Sequence, residues 1–122
     1  MDVKYLDTCI LAEIADGNKK FIEYIENQFI ISDLTLAELY TVLLRDKNEE
    51  TAEFWYNKLA AYAYPVSKEI LREAVKFRHK HKKTGISFFD AVGYIFALNN
   101  KMKFVTGDKE FEKLENVEFK KK

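Results

Sequence analysis

Asp7, Glu38, Asp90 and Asp108 each stand where a strand-like or loop segment gives way to a helical pattern. Asp7 follows the apolar run ending at Leu6, and Asp108 follows the run ending at Thr106. Glu38 and Asp90 fall in the first turns of helices. In an open sheet of parallel strands, all four positions gather at the carboxyl edge, where ligands bind. Carboxylates brought together repel one another, and some would take up protons unless a cation joined them. A donor set of oxygens without His or Cys selects a hard divalent ion, Mg²⁺ or Mn²⁺. Such ions commonly support phosphoryl chemistry, activating water for in-line attack and stabilising the leaving oxygen. Thr8 and Thr106 carry hydroxyls at the same edge, placed to orient a carboxylate or a water. The two histidines, His79 and His81, lie in a lysine-rich stretch away from these acids, and Cys9 reads as a small buried apolar residue.

A competing use exists for every one of these acids. A carboxylate at a helix start is favoured by capping, worth roughly 1 kcal/mol, and by the helix dipole, worth about 0.3–1 kcal/mol. Gly93 and Ala97 weigh against capping alone. They follow Asp90 at i+3 and i+7, and glycine inside a helix costs about 1 kcal/mol against alanine. Close approach of that face to the sheet would explain the glycine and carry Asp90 inward.

The elements that must position these residues alternate. Val3–Leu6 reads as a strand and is followed by a helix bearing Ile10, Leu11 and Ile14, which Gly17-Asn18 breaks. A second helix carries Phe21, Ile22, Tyr24 and Ile25, and Phe29–Ile31 has the character of a buried parallel strand. Thr35-x-x-Glu38 has the form of a capping box opening the helix of Leu39 to Leu44. After the charged break at 46–50, Phe54, Trp55, Leu59 and Ala63 recur at helical spacing. Tyr64–Val66 is a third strand candidate that Pro65 confines to a sheet edge or strand end. Ser67 to Lys83 reads as a long helix stopped by Gly85, and Ser87-x-x-Asp90 opens another running through Asn99. Lys103–Thr106 is the fourth strand, Gly107-Asp108 leads into a short helix bearing Phe111 and Leu114, and 117–119 is a fifth strand candidate. The last three lysines read as frayed. Alternation of this kind implies an α/β fold: a three-layer α/β/α sandwich on a four- to five-stranded, mainly parallel sheet.

Composition sets the outer limits. The 122 residues make one domain, 1–122, with 48% apolar and 33% charged residues, as in a folded globular protein. The formal net charge is zero, which argues against a general nucleic-acid coat protein but not against an enzyme touching a few phosphates. One cysteine cannot form an internal disulfide, no apolar run reaches membrane-span length, and Asp2, Lys4 and Asp7 interrupt any signal-peptide pattern. A cytoplasmic location is the default expectation.

Taken in order, Tyr5-Leu6-Asp7-Thr8, Ser32 with Leu34–Tyr40, Ser87–Ala91 with Gly93-Tyr94 and Ala97, and Val105–Lys109 with Phe111 resemble the PIN-domain family, and within it the VapC-like toxins of toxin–antitoxin pairs. The blocks span nearly the whole chain; no single block is specific, but the ordered set is. The resemblance implies Mg²⁺- or Mn²⁺-dependent cleavage of RNA. On it, Asp7, Glu38, Asp90 and Asp108 match the family's acidic quartet as catalytic and metal-binding residues, with Thr8 and Thr106 in support. It further implies a homodimer and a small antitoxin partner bound through an apolar groove.

Two other segments bear on partners. Lys76 to Lys83 is the one notable basic block. As a helix C-terminus it suits the dipole; as a phosphate-steering patch it offers Arg78, Lys80, Lys82 and Lys83 to RNA. Phe54, Trp55, Tyr56, Leu59, Tyr62 and Tyr64 form an aromatic stretch. Trp55 and Tyr56 are adjacent and cannot both face one core, which leaves part of it for an interface. Two alternatives to the nuclease stay open: a PIN-fold module that binds without catalysis, and a Mg²⁺-binding phosphoacceptor domain of the receiver type.

Overall fold

The computed structural model describes residues 2–122. Five strands form one sheet: β1 (Lys4–Leu6), β2 (Phe29–Ser32), β3 (Ala63–Tyr64), β4 (Lys103–Thr106) and β5 (Val117–Phe119). Their spatial order is β3-β2-β1-β4-β5 and every pairing is parallel. Six helices connect them: α1 (Thr8–Ala15), α2 (Glu23–Glu26), α3 (Asp33–Asp46), α4 (Glu49–Leu59), α5 (Lys68–Lys80) and α6 (Phe88–Asn99).

Strand alternation builds the three layers. Leu6, Ile31 and Val105 face one core with Ile10, Leu11 and Ile14 of α1 and Leu36, Leu39 and Leu43 of α3. Tyr5, Ile30 and Phe104 face the opposite core, with Ile70 and Ala74 of α5 and Ala91, Val92 and Ile95 of α6. The expected α/β/α sandwich is present, with five strands and no antiparallel pair among the described residues. Pro65 falls just beyond β3, an edge strand, so it removes no ladder hydrogen bond.

In this order the chain steps from β1 to β2 and β3 on one side, then crosses back to β4 on the other side of β1, so the strand order reverses between β1 and β4. The crevice at such a switch point is where open α/β sheets hold ligands. Flavodoxin-like receiver folds instead place β1 between β2 and β3. The phosphoacceptor alternative therefore fails on topology.

Several boundaries differ from the sequence reading. Helix α3 begins at Asp33, capped by Ser32, whose hydroxyl oxygen accepts from the Thr35 amide. The Thr35–Glu38 capping box does not form; Thr35 bonds the Tyr5 hydroxyl instead, at 2.7 Å, and Glu38 lies a turn deeper. Helix α5 ends at Lys80, where the backbone N–H of His81 closes the last turn, so Gly85 is not its stop. Ala63 belongs to β3 rather than to the preceding helix, and the turn after Asp108 is a single 3₁₀ turn, Lys109–Phe111, that does not reach Leu114.

The three final lysines run along the edge of the sheet. The Lys120 amide donates to Thr106 O at 2.8 Å, extending the β4–β5 ladder, and Lys122 Nζ lies 3.4 Å from Glu13 Oε2. The aromatic stretch divides between core and solvent. Leu59 is buried and Trp55 packs partly against the first core, while Phe54, Tyr56, Tyr62 and Tyr64 are exposed.

Candidate active site

The β1–β4 ladder runs one residue past β1, with the Asp7 amide donating to Val105 O at 3.0 Å. This fixes the Asp7 backbone at the carboxyl edge and leaves the residue 4% exposed. Its two carboxylate oxygens serve different ends. Oδ1 accepts from the Thr8 amide at 2.8 Å and caps α1. Oδ2 accepts from the Thr106 hydroxyl at 2.7 Å and faces Cys9 Sγ at 3.5 Å. Capping and membership of an acidic cluster are thus combined in one residue.

Glu38 arrives from the second turn of α3, and its Oε1 accepts from the Thr8 hydroxyl at 2.5 Å. Asp90 arrives at the start of α6, where a capping box forms as the spacing predicts. The Asp90 amide donates to Ser87 Oγ at 3.1 Å, and the Ser87 amide donates to Asp90 Oδ2 at 3.4 Å. Gly93, one turn on, packs α6 directly on the sheet. A Cβ there would sit 3.0 Å from the Tyr5 ring and 3.1 Å from the Phe104 ring. This is the close approach that the glycine signalled. Ser87→Ala removes half of the box, and is expected to cost about 1 kcal/mol of stability, read as a lower urea midpoint with an unchanged denaturant slope.

Asp7, Glu38 and Asp90 each offer an oxygen, and these oxygens all lie within 4.8 Å of one another. Asp108 stands apart from this trio. It lines the same cavity, but its Oδ1 accepts from the Glu110 amide at 3.0 Å and caps the 3₁₀ turn. Thr106 joins the two acids after strands, donating to Asp7 and accepting from the Asp108 amide at 3.1 Å.

The electrostatics are those of crowded, half-dry carboxylates. Burial first, and then the charge of Asp90, push the Asp7 carboxyl well above the usual range, against the pull of its bonds from Thr106 and Thr8. Glu38 is raised by burial and, less, by Asp90. Asp90 is raised by burial and, less, by Asp108. Such groups are stable as a set only when protonated or when a cation neutralises them. One buried and two half-buried carboxylates with oxygens this close together suit a hard divalent ion.

The cavity holding these groups has a volume of about 470 Å³. Its walls include residues that the sequence reading missed. Cys9 is exposed on the cavity wall rather than buried, with its sulfur accepting from the Gly107 amide at 3.3 Å. Glu13, at i+4 from Cys9 and adjacent to Ala12, is a fifth acid on the wall. The i, i+3, i+4 spacing of Cys9, Ala12 and Glu13 was the available signal. Glu13 is committed elsewhere, to Asn18 and Lys122. Lys120 and Lys122 also line the cavity. By contrast, Arg78 and Lys82 line a separate cavity of about 270 Å³ that shares no residue with the acidic one.

Comparisons with known proteins identify the fold. Residues 4–117 match the family model described as PIN domain. Among solved structures, the fold superposes on a toxin–antitoxin complex from Klebsiella pneumoniae with a TM-score of 0.75 at 21% identity, covering 94% of this chain and 95% of that one. It superposes equally, at 0.75, on a sarcin–ricin loop cleaving VapC toxin from Mycobacterium tuberculosis, at 16% identity over 90% and 92% of the two chains. A VapBC complex from Rickettsia felis bound to a promoter DNA fragment gives 0.75 at 19% identity over 98% of each. No curated protein sequence matches.

Proposed function

Since this chain belongs to the PIN domain family, we propose that it is a divalent-metal-dependent endoribonuclease acting as the toxin of a toxin–antitoxin pair. The observation that carries the reading is the convergence of Asp7, Glu38 and Asp90, from three separate elements, to within coordination distance of one another at the sheet's switch point.

In this reading Asp7, Glu38 and Asp90 hold Mg²⁺ or Mn²⁺, with Asp108 contributing from the cavity wall. The ion supplies Lewis-acid stabilisation of phosphoryl oxygens and lowers the pKa of water in the cleft. The chain's own part is preorganisation. Thr106 holds Asp7 Oδ2, Thr8 holds Glu38 Oε1, and Ser87 holds Asp90. Each carboxylate is therefore oriented by a donor that does not compete for the shared space. Donors that orient metal ligands in this way typically affect metal affinity about 10- to 100-fold. Arg78, Lys80, Lys82 and Lys83, at the end of α5 and just beyond it, would take phosphates farther along the RNA. The exposed aromatics Phe54, Tyr56, Tyr62 and Tyr64 give the chain an apolar surface suited to a second copy or an antitoxin.

The test is cleavage of single-stranded RNA by the purified chain with Mg²⁺ or Mn²⁺, with EDTA, and with Asp90→Asn. Cleavage is expected with the ion alone, falling to background in EDTA or in the variant. Full cleavage in EDTA would overturn the reading. Calorimetric titration separates the binding-only alternative, which predicts neither ion uptake nor cleavage.

A further inference from the structure

The acidic cavity carries a difficulty for any anionic substrate. Asp7, Glu13, Glu38, Asp90 and Asp108 all line it, and the chain as a whole has no net charge to attract a polyanion. Local cations are therefore required, and they must lie within a Debye length, about 8 Å at physiological salt. The basic block of α5 opens on a different cavity.

The topology supplies other cations. Strand β5 is parallel to β4, with Thr106 opposite Phe119, so the chain leaves β5 at the same edge as Asp7 and Asp108. Lys120, Lys121 and Lys122 come next in the sequence. The backbone is held there by the Lys120 amide on Thr106 O, at 2.8 Å, and by Lys20 Nζ on Lys121 O, at 3.3 Å. Gly107 makes the room, since a Cβ at that position would stand 2.9 Å from Lys120 O. Lys120 and Lys122 both line the acidic cavity, together with Glu38 and Asp90.

Stability does not account for this arrangement. The one ion pair formed, Lys122 to Glu13, joins a lysine 78% exposed to a carboxylate 16% exposed, and with one partner in solvent it contributes on the order of 1 kcal/mol. Among the described residues Lys120 forms no salt bridge at all.

We propose that Lys120 and Lys122 form a phosphate-binding rim that seats the RNA backbone beside the acidic cluster. The rim rests on the nuclease reading for its substrate, and it assigns to two residues after β5 the attraction beside the acidic cavity that Arg78, Lys80, Lys82 and Lys83, farther along, do not supply. Lys122 exchanges Glu13 for a phosphate oxygen, and Lys120 takes a neighbouring phosphate.

The test compares the wild type with Lys120→Gln/Lys122→Gln and with a charge-matched control, Lys101→Gln/Lys103→Gln, at the opposite end of β4. RNA binding is read by fluorescence anisotropy in EDTA across a salt series, and cleavage with Mn²⁺ gives KM and kcat. The rim variant is expected to bind about tenfold more weakly, with its salt slope reduced by about 1–1.5, since each phosphate contact on a single strand contributes roughly 0.7. KM is expected to rise more than kcat falls, and Mn²⁺ affinity in calorimetry to stay within about twofold. Unchanged binding and slope in the rim variant, or losses matched by the control, would overturn the rim while leaving the nuclease intact. Faster cleavage in the rim variant would overturn it too, marking the tail as a plug. A wild type that cleaves no RNA with either metal would instead count against the nuclease reading itself.

Discussion

Asp7→Asn is expected to abolish RNA cleavage and, in the same protein, to raise the thermal midpoint of the metal-free chain at neutral pH. The loss of activity follows from the place of Asp7 at the centre of the cluster. Stabilisation of phosphoryl charge by a held ion is worth several kcal/mol, which corresponds to about 10²- to 10⁴-fold in rate. The gain in stability follows from the cost of burying the charge. Asp7 is 4% exposed, with Asp90 and Glu38 as negative neighbours, and its native pKa is raised above the ordinary aspartate value. Between that ordinary value, about 3.9, and the raised native one, the folded chain holds a proton that the unfolded chain has released. Stability in this window falls as pH rises, because the unfolded state binds fewer protons. At neutral pH the wild type bears the penalty and the Asn variant does not.

Thermal melts in EDTA from pH 4.5 to 7.5 measure the effect. The wild type is expected to lose stability towards neutrality. The variant should show a shallower slope and gain roughly 1–3 kcal/mol at pH 7, a shift of several degrees. Saturating Mn²⁺ should raise the wild-type midpoint by mass action and leave the variant nearly unmoved. A variant less stable than the wild type in EDTA at pH 7 would mean that the Thr106 and Thr8 bonds outweigh the buried charge.

How far the sequence carried this picture depended on the range of the interaction that decided each feature. Strands β1 and β4 are legible because each is a short apolar run with a sharp stop, Asp7 after the first and Gly107-Asp108 after the second. The box at Ser87 and Asp90 is legible because both partners lie within four residues. Gly93 betrayed a close approach, although the rings it meets, Tyr5 and Phe104, lie elsewhere in the chain. The start of α3 was misread because Ser32 and Thr35 both offer a cap. Ser32 takes the cap, accepting from the Thr35 amide, and both side chains are held by the Tyr5 hydroxyl from 27 and 30 residues away. The position of the last lysines is illegible for a similar reason. Three lysines look solvated in isolation, and only the parallel register of β5 against β4 carries them to the acidic edge. Cys9 has the composition of a core residue, and its exposure on the cavity wall follows from the direction in which α1 leaves the sheet.

Gly93→Val is expected to destabilise the protein strongly, and the milder Gly93→Ala to show why. A valine adds a branched side chain where even a Cβ would stand 3.0 Å from the Tyr5 ring and 3.1 Å from the Phe104 ring. Overpacking of this kind costs about 1–3 kcal/mol or more, against a total stability of roughly 5–15 kcal/mol for a domain. For alanine the outcome rests on whether Tyr5 can yield. Helix propensity alone favours alanine by about 1 kcal/mol. Yet the Tyr5 ring is fully buried and its hydroxyl is tied to Ser32 Oγ at 2.8 Å, to Thr35 Oγ1 at 2.7 Å and to the Ser32 amide at 3.1 Å. The ring is pinned, so Gly93→Ala is expected to destabilise. Tyr5→Phe releases the pin but leaves buried hydroxyls short of a partner, at a cost of about 1–3 kcal/mol. The double variant should then lose less than the sum of the two single changes, by about 0.5–1 kcal/mol in a denaturant double-mutant cycle. A Gly93→Ala protein more stable than the wild type would show the ring to be free. The same pin joins the start of α3, and through it Glu38, to the face of α6 that carries Asp90. The alanine variant should therefore bind Mn²⁺ more weakly even at temperatures where it remains folded.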